Sequence, residues 1–466
     1  MTIRAGFSNI VVNAALPEGK AFHEDIEVNA MWLGGSGAEC CWCAMDFMDF
    51  DRPSVECVRA SVSETLGLRP ENIHILTTHN HGAPPPEELN IDLLARKTAI
   101  CVSAAKERSA PAFIRYGETE APSQINCLRR LYLEELDGSV TFFFGPCQEN
   151  NYDSGPSLRN FIFQLKENHE AVYAGACAEA EKAALNIRPE RLRLPAADAR
   201  IQTLLFERGD GAALGTVCRF AAHAVCCNSP DYYSSDFPFY VRKTLRDRLG
   251  GGAIFLNGPC AEIAPGVPDK KSGFEKKLGA LIGGSAVKSL GGSEPERLVS
   301  VKDLSLDVSL PLRAEMRLEK EDAKSEISKI QNLMRANGGS TPLPELKRLA
   351  ERVRLLRTLG FLKQKARGEN SAEKHLTVRL GKLELNNITL LAFPGETFSS
   401  TAIEIERACP GRKIITVTEH ERTAMYIVPA NEIHRGGYES GCGMTTADAE
   451  RILRDSTMKL LARSAT

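Results

Sequence analysis

The chain has 466 residues, 43% of them hydrophobic and 25% charged, with a formal net charge of −2. This is the composition of a soluble globular protein with a substantial core, in one large domain or two to three average ones, and its balanced charge gives no basis for a nucleic-acid or anionic-membrane partner. No run of about 18 apolar residues marks a membrane span, and the start, Met1 to Phe7, lacks the apolar stretch of a secretory signal.

In chain order, residues 39–45 form an apolar run ending in Asp46. Residues 52–66 place Val55, Val58, Val62 and Leu66 at helical spacing. Residues 73–78 read as a strand running into His79, Asn80 and His81, and Gly82 and the Pro84-Pro85-Pro86 run break it. Side chains alternate along a strand, so His79 and His81 are expected on one face. A helix follows over 91–108, a strand over 140–145 and an alanine-rich helix over 169–186. Residues 214–220 form a strand that ends near His223, residues 239–249 a helix, and residues 253–256 an apolar strand. Between about 312 and 367 the chain turns rich in Lys, Arg, Glu and Leu. Helices over 315–335 and 343–365, interrupted at Asn337-Gly338-Gly339-Ser340, predict an αα-hairpin. Its charges read as a solvated face, with a partner or substrate-lid role as the alternative. Strands return over 376–380 and 388–393, and a helix follows over 397–409. The rhythm predicts one α/β domain over 1–466, a layered mixed sheet with flanking helices and an αα-hairpin inserted over 313–367.

The 14 cysteines include the cluster Cys40, Cys41 and Cys43 and the pair Cys226 and Cys227. Without a secretion signal they read as reduced, mostly buried thiols of a cytoplasmic protein. The first cluster lacks the second cysteine pair of a zinc knuckle.

Two imidazoles at a strand end suit a metal or acid–base site. Further reactive side chains stand at strand ends or in Gly/Pro-rich loops. These are His223 after Phe220-Ala221-Ala222, Glu396 after Phe393-Pro394-Gly395, Tyr426 in Ala424-Met425-Tyr426-Ile427, and Tyr438 in Gly436-Gly437-Tyr438-Glu439. Each has an ordinary reading: a structural histidine, a carboxylate at a helix start, core or rim aromatics.

Taken in order along nearly the whole chain, these segments resemble the catalytic domain of the neutral/alkaline (non-lysosomal) ceramidases and their bacterial relatives. Thr78-His79-Asn80-His81 is similar to that family's Thr-His-Thr-His motif, and Phe220-Ala221-Ala222-His223 to its second histidine motif. Ser235-Asp236-Phe237-Pro238 resembles a Ser-x-Asp segment, and residues 255–265 a Gln-Gly…Asn-Pro loop. Pro394-Gly395-Glu396 and Tyr426 through Gly437-Tyr438-Glu439 resemble its two C-terminal motifs. The resemblance implies Zn2+ held by His79, His223, Glu396 and Tyr426. It implies that His81 and Tyr438 stabilise an oxyanion or transfer protons, and that an arginine joins them, with Arg129 and Arg130 of Leu128-Arg129-Arg130 as candidates and Arg129 favoured. Asp46 and Asp236 match acidic positions that would orient imidazoles, with helix or turn capping as the other reading. The implied chemistry is hydrolysis by zinc-activated water, of an amide in first place and an ester or lactone in second.

The chain also departs from the pattern. Ala264 stands where true ceramidases carry a serine, and Gly82-Ala83-Pro84 replaces Ser-Gly-Pro. With the chain ending at Thr466, the family's immunoglobulin-like C-terminal domain is not expected. These departures point to a soluble small molecule as substrate rather than a membrane sphingolipid. A family member that binds a metabolite or partner without turnover is the main alternative. A cysteine enzyme using Cys260 or Cys227 is a third reading. A homo-oligomer is compatible with the sequence.

Overall fold

The computed structural model describes residues 2–35, 38–122, 125–141, 197–227, 229–266, 273–337, 341–366 and 374–463. Its core is framed by three mixed sheets. The first contains β1 (Arg4–Val11), β2 (Glu27–Gly35), β3 (Ala38–Met45) and β4 (Ile73–Thr77), in the order β4-β3-β2-β1. The second contains β5 (Phe113–Glu120), β6 (Arg200–Glu207), β7 (Ala213–Phe220) and β8 (Gly252–Asn257), in the order β8-β7-β6-β5. The third runs β9 (Val301–Pro311), β10 (His375–Leu385), β11 (Ile388–Ala392) and β12 (Lys413–Val417).

Alternation along each strand assigns its two faces to different cores. Cys40, Trp42 and Leu76 of the first sheet meet Phe206, Val217 and Ile254 of the second and Leu383, Leu390 and Ile415 of the third. Their neighbours Cys41, Cys43, Ile73 and Ile75 face outward onto α1 (Arg52–Leu66) and α2 (Ile91–Glu107). Cys218 and Phe220 likewise pack under α3 (Asp236–Leu249) and α4 (Phe274–Ser289). The outer face of the third sheet is covered by α5 (Lys320–Asn337), α6 (Leu343–Lys365), α7 (Ser399–Arg407) and α8 (Ala449–Ala462). Leu355, Leu356, Leu359 and Leu362 of α6 are all buried there, each worth about 1.5–3 kcal/mol of burial. Among the described residues, no helix is long and apolar enough to cross a membrane.

Helix α1 has the bounds its valine spacing predicts. Asp51 caps it by accepting from the Ser54 N–H at 3.0 Å, and Gly67, at φ 70°, ends it in the left-handed conformation. Helix α3 begins three residues earlier than expected, because Pro238 falls in the first turn, where no N–H is needed. Residues 314–317 form a separate 3-10 turn, so α5 starts at Lys320 and not at 315. Helix α7 starts at Ser399 because Glu396–Thr397 is drawn into a short parallel pair with Tyr426–Ile427. Of the strand expected over 140–145, Gly138–Thr141 is present and pairs with Arg130–Leu133, and the remainder lies outside the described residues. The helix expected over 169–186 lies outside them too.

One feature of the topology places the site. Each sheet contains one parallel pair of long strands: β3 with β4, β7 with β8, and β11 with β12. Each pair ends in register, at Met45 opposite Thr77, Phe220 opposite Asn257, and Ala392 opposite Val417. The segments leaving these carboxyl ends are tied together. The Thr418 N–H donates to the Asn257 carbonyl at 2.9 Å, Thr77 N–H to Glu419 at 3.1 Å, and Glu421 N–H to Ile75 at 2.7 Å. Ligands in α/β folds bind outside the carboxyl ends of strands, where diverging loops leave space.

Candidate metal centre

His79 and His81 come together, though not by strand alternation. Strand β4 stops at Thr77, and His79 takes a left-handed φ of 54°. The chain is wound there onto other segments. Thr78 N–H donates to Met45, Asn80 N–H to Phe47 and His81 N–H to Ala224. Glu419, Glu421 and Met425 also have positive φ (51–66°). Such conformations cost of the order of 1 kcal/mol each and persist where the surroundings impose them.

The His79 and His81 Nε2 atoms lie 3.2 Å apart. Glu396 Oε2 lies 3.4 Å from His79 Nε2 and 3.0 Å from His223 Nε2. His79, His81 and His223 each present a ligand atom, all within 4.8 Å of one another. The outer nitrogens decide what these inner ones offer. His79 Nδ1 stands 3.2 Å from the Met48 carbonyl, and His223 Nδ1 3.0 Å from the Ile263 carbonyl. A carbonyl only accepts, so each Nδ1 carries the proton and each Nε2 of the neutral ring presents a lone pair. Two lone pairs and a carboxylate oxygen then face one point, and only a cation or a shared proton satisfies them. Ligands 2.0–2.1 Å from a tetrahedral zinc stand about 3.3 Å apart, which the separations of Glu396 from His79 (3.4 Å) and from His223 (3.0 Å) match. The donor set therefore fits zinc.

The electrostatics show that this point attracts positive charge: a proton on His79 Nε2 meets that demand, and a cation would displace it. Burial disfavours charge on His79, but Glu419, Glu396 and Asp49 outweigh it and raise its pKa to about 9. Burial and Arg129 lower His223 to about 4, and burial with the two neighbouring imidazoles holds His81 well below the ordinary histidine range. Burial pushes Glu396 up, yet His79 and His223 overcome it and hold its carboxyl well below normal. Burial carries Glu419 up to about 8.

Tyr426 stands beside Glu396 because the two are register partners in the short parallel pair, which puts both side chains on one face. Its hydroxyl accepts from Arg129 Nη2 at 3.0 Å. Arg129 also donates through Nε to Glu439 at 2.9 Å and through Nη2 to the Ala261 carbonyl at 2.7 Å. Tyr438 packs edge-on to Tyr426 with ring centroids 5.8 Å apart. The Arg129 and Arg354 guanidinium groups lie 6.0 and 5.3 Å from the Tyr438 ring centre. Arg354 comes from α6, and so does buried Lys365, which bonds Asp49 at 2.5 Å. The inserted hairpin thus contributes to the surroundings of the site, and not only a solvated face.

Asp46 and Asp236 do not orient imidazoles. Both oxygens of Asp46 receive the Arg242 guanidinium, at 2.7 and 2.6 Å, and Asp46 also accepts from Ser235 Oγ at 2.9 Å. Asp236 accepts the Cys227 and Phe237 N–H groups, each at 2.6 Å, at the start of α3. Both are structural uses: Asp236 fits the capping alternative, whereas Asp46 is the buried ion-pair partner of Arg242. The groups that do flank the imidazoles were missed in the sequence. They are the Met48 and Ile263 carbonyls and Glu419, whose Oε1 lies 3.4 Å from His79 Nδ1. A backbone carbonyl has no side-chain signature, and Glu419 sits in the unremarkable run Thr418-Glu419-His420-Glu421. Cys260 is buried, and burial with Glu419 and Glu396 raises its thiol well above normal. That is the reverse of an activated nucleophile. Ala264 is buried in the strand Ile263–Pro265, paired with Asn126–Leu128.

No protein-family model and no curated protein matches this chain. Its backbone does match solved structures. The crystal structure of neutral ceramidase from Pseudomonas aeruginosa superposes with a TM-score of 0.63 at 13% identity, covering 100% of this chain and 76% of that one. The chain has the neutral-ceramidase fold. A ceramidase complexed with C2 gives the same TM-score and coverage at 14% identity. Within the neutral-ceramidase fold, the histidine cluster lies where the three parallel strand pairs end.

Proposed function

We propose that this protein is a zinc-dependent hydrolase that cleaves an amide bond of a small molecule, with esters and lactones as poorer substrates. The observation that carries the proposal is the convergence of the His79 and His223 Nε2 atoms on Glu396, with both Nδ1 atoms turned to backbone carbonyls. His79, His223 and Glu396 would hold the ion, with Tyr426 beside them. Zinc bound there lowers the pKa of a water toward about 7 and polarises a carbonyl.

The remaining roles fall to side chains around that point. His81 is half-buried, and among the described residues its Nδ1 takes no hydrogen bond. Metal-bound histidines normally have that nitrogen tied down, as His79 and His223 do. A ring free on one side suits proton transfer to the departing amine. Arg129 holds a positive charge against the Tyr426 hydroxyl, and Tyr438 presents a phenol whose pKa is raised by burial, so it stays a donor. Together they are suited to stabilising the oxyanion that develops on the scissile carbonyl.

Residues 1–466 are read as one catalytic domain with the hairpin 313–367 inserted in it, acting in the cytoplasm. Ala264 offers no hydroxyl to a substrate, which favours a substrate other than ceramide. It also supports a second reading, binding without turnover. Metal analysis combined with a panel of N-acyl amides, matched esters, lactones and ceramide separates these. Stoichiometric zinc with amide turnover supports the proposal. Stoichiometric zinc with no turnover supports the second reading, and failure to bind zinc defeats both.

A further inference from the structure

We infer that a second metal site, distinct from the histidine cluster and bearing a thiolate, is formed by His23, Cys227 and Glu275. A ring nitrogen of His23, the Cys227 sulfur and a Glu275 oxygen all lie within 4.8 Å of one another. They come from three separate stretches: the loop before β2, the loop after His223, and the first turn of α4. Imidazole, thiolate and carboxylate together are a donor set for zinc or a similar borderline transition ion.

Glu275 supplies the independent sign of a ligand. It is 4% exposed, and among the described residues its carboxylate has no hydrogen bond or ion pair. A largely buried carboxylate with no cationic side chain against it is a ready partner for a bound cation. The surroundings add negative charge. Glu24 contacts His23 Nδ1, Ser234 and Tyr240, and Asp236 lies one bond away through the Cys227 N–H. Among the described residues, no Lys or Arg pairs with Glu24, Asp236 or Glu275. The thiol of Cys227 is accordingly raised, by burial first and then by Asp236 and Glu275. A bound ion displaces that thiol proton to solvent and supplies the missing positive charge. Zinc ligand atoms stand about 3.3–3.6 Å apart, inside the 4.8 Å that bounds this set. His23, with 41% of its side chain exposed, has room to move and gives the ion a way in.

The site would brace the catalytic segment. A Cβ on Gly82 would lie 2.8 Å from the Cys227 carbonyl and 2.6 Å from the Ser234 carbonyl. The Ser234 N–H donates to the Gly82 carbonyl at 3.0 Å. An ion on Cys227 therefore fixes the wall against which the residue after His81 is packed.

Cobalt(II) titration of the metal-free, full-length protein tests this, because the catalytic cluster contains no sulfur. The expected result is two equivalents bound, with an intense near-ultraviolet sulfur-to-cobalt charge-transfer band from one of them. His79→Ala should bind one equivalent and keep the band. Cys227→Ser should bind one equivalent and lose it, and Glu275→Gln should weaken the band-forming site at least 10-fold. A wild-type protein loaded with cobalt that shows no sulfur band overturns the inference, whatever the variants do. So does a band that survives Cys227→Ser. Neither result affects the catalytic proposal, which is read from hydrolysis and the other equivalent.

Discussion

The sharpest prediction separates the two histidines of one tripeptide. His79 has Nδ1 against the Met48 carbonyl and Nε2 3.4 Å from Glu396, whereas His81 contacts the cluster only through Nε2. His79→Ala removes a donor from the converging set, and the purified variant should lose stoichiometric zinc. His81→Ala should keep the ion and lose rate. Proton transfer by a placed side chain is worth about 10²- to 10⁴-fold, or about 3–5 kcal/mol of barrier at 1.36 kcal/mol per tenfold. The assay pairs metal content of each dialysed variant with kcat on the best amide substrate. The loss for His81→Ala should appear in kcat with little change in KM, because no ground-state contact is removed. Equal zinc loss in both variants would make both rings ligands and refute this division of roles. An undiminished kcat in His81→Ala would refute the proton-transfer role.

Glu419→Gln should lower zinc affinity by about 10–100-fold, the usual cost of removing the carboxylate behind a ligating imidazole, as measured by competition with a chelator; unchanged affinity would leave Met48 alone in that role. Lys365→Met strands Asp49 in the interior and should cost about 3–5 kcal/mol at neutral pH. Burial raises Asp49 even with Lys365 present, so protonation should shrink that deficit as the pH falls, and a pH-independent deficit in chemical denaturation would count against it. Glu262 has its pKa raised from 4.5 to about 7 by burial. The folded protein then binds the extra proton, so this contribution is whole below pH 4.5 and is lost as pH rises through about 7, by roughly 3 kcal/mol. Glu262→Gln should flatten that stretch of the stability-against-pH curve, and an unchanged slope between pH 5 and 8 would assign it to other groups.

Much of the local structure was legible because it is set by nearby residues. The valines of α1 and the Asp51 cap determine that helix, and the leucine-rich stretch 343–365 determines α6. The residue types of the candidate centre were legible too, since His79, His81, His223, Glu396 and Tyr426 carry recognisable neighbours. Their arrangement was not. The expectation that strand alternation pairs His79 with His81 failed after Thr77, where hydrogen bonds from the Thr78, Asn80 and His81 N–H groups to the Met45, Phe47 and Ala224 carbonyls take over the chain. Asp46 drew notice as an acidic residue after an apolar run, yet its partner is Arg242, 196 residues away.

The sequence by itself determined which segments are amphipathic, the bounds of α1 and α6, and which residue types are able to bind a metal. All of that follows from periodicity and from short-range chemistry. The tertiary structure alone decided that three parallel strand pairs end at one edge of a shared core, bringing His223 within 3.0 Å of Glu396 across 173 residues. It also decided which ring nitrogens keep their protons, through carbonyls that no side-chain pattern announces. The physical reason is that register between distant strands is fixed by the packing of whole sheet faces, a sum over many residues that no single motif contains.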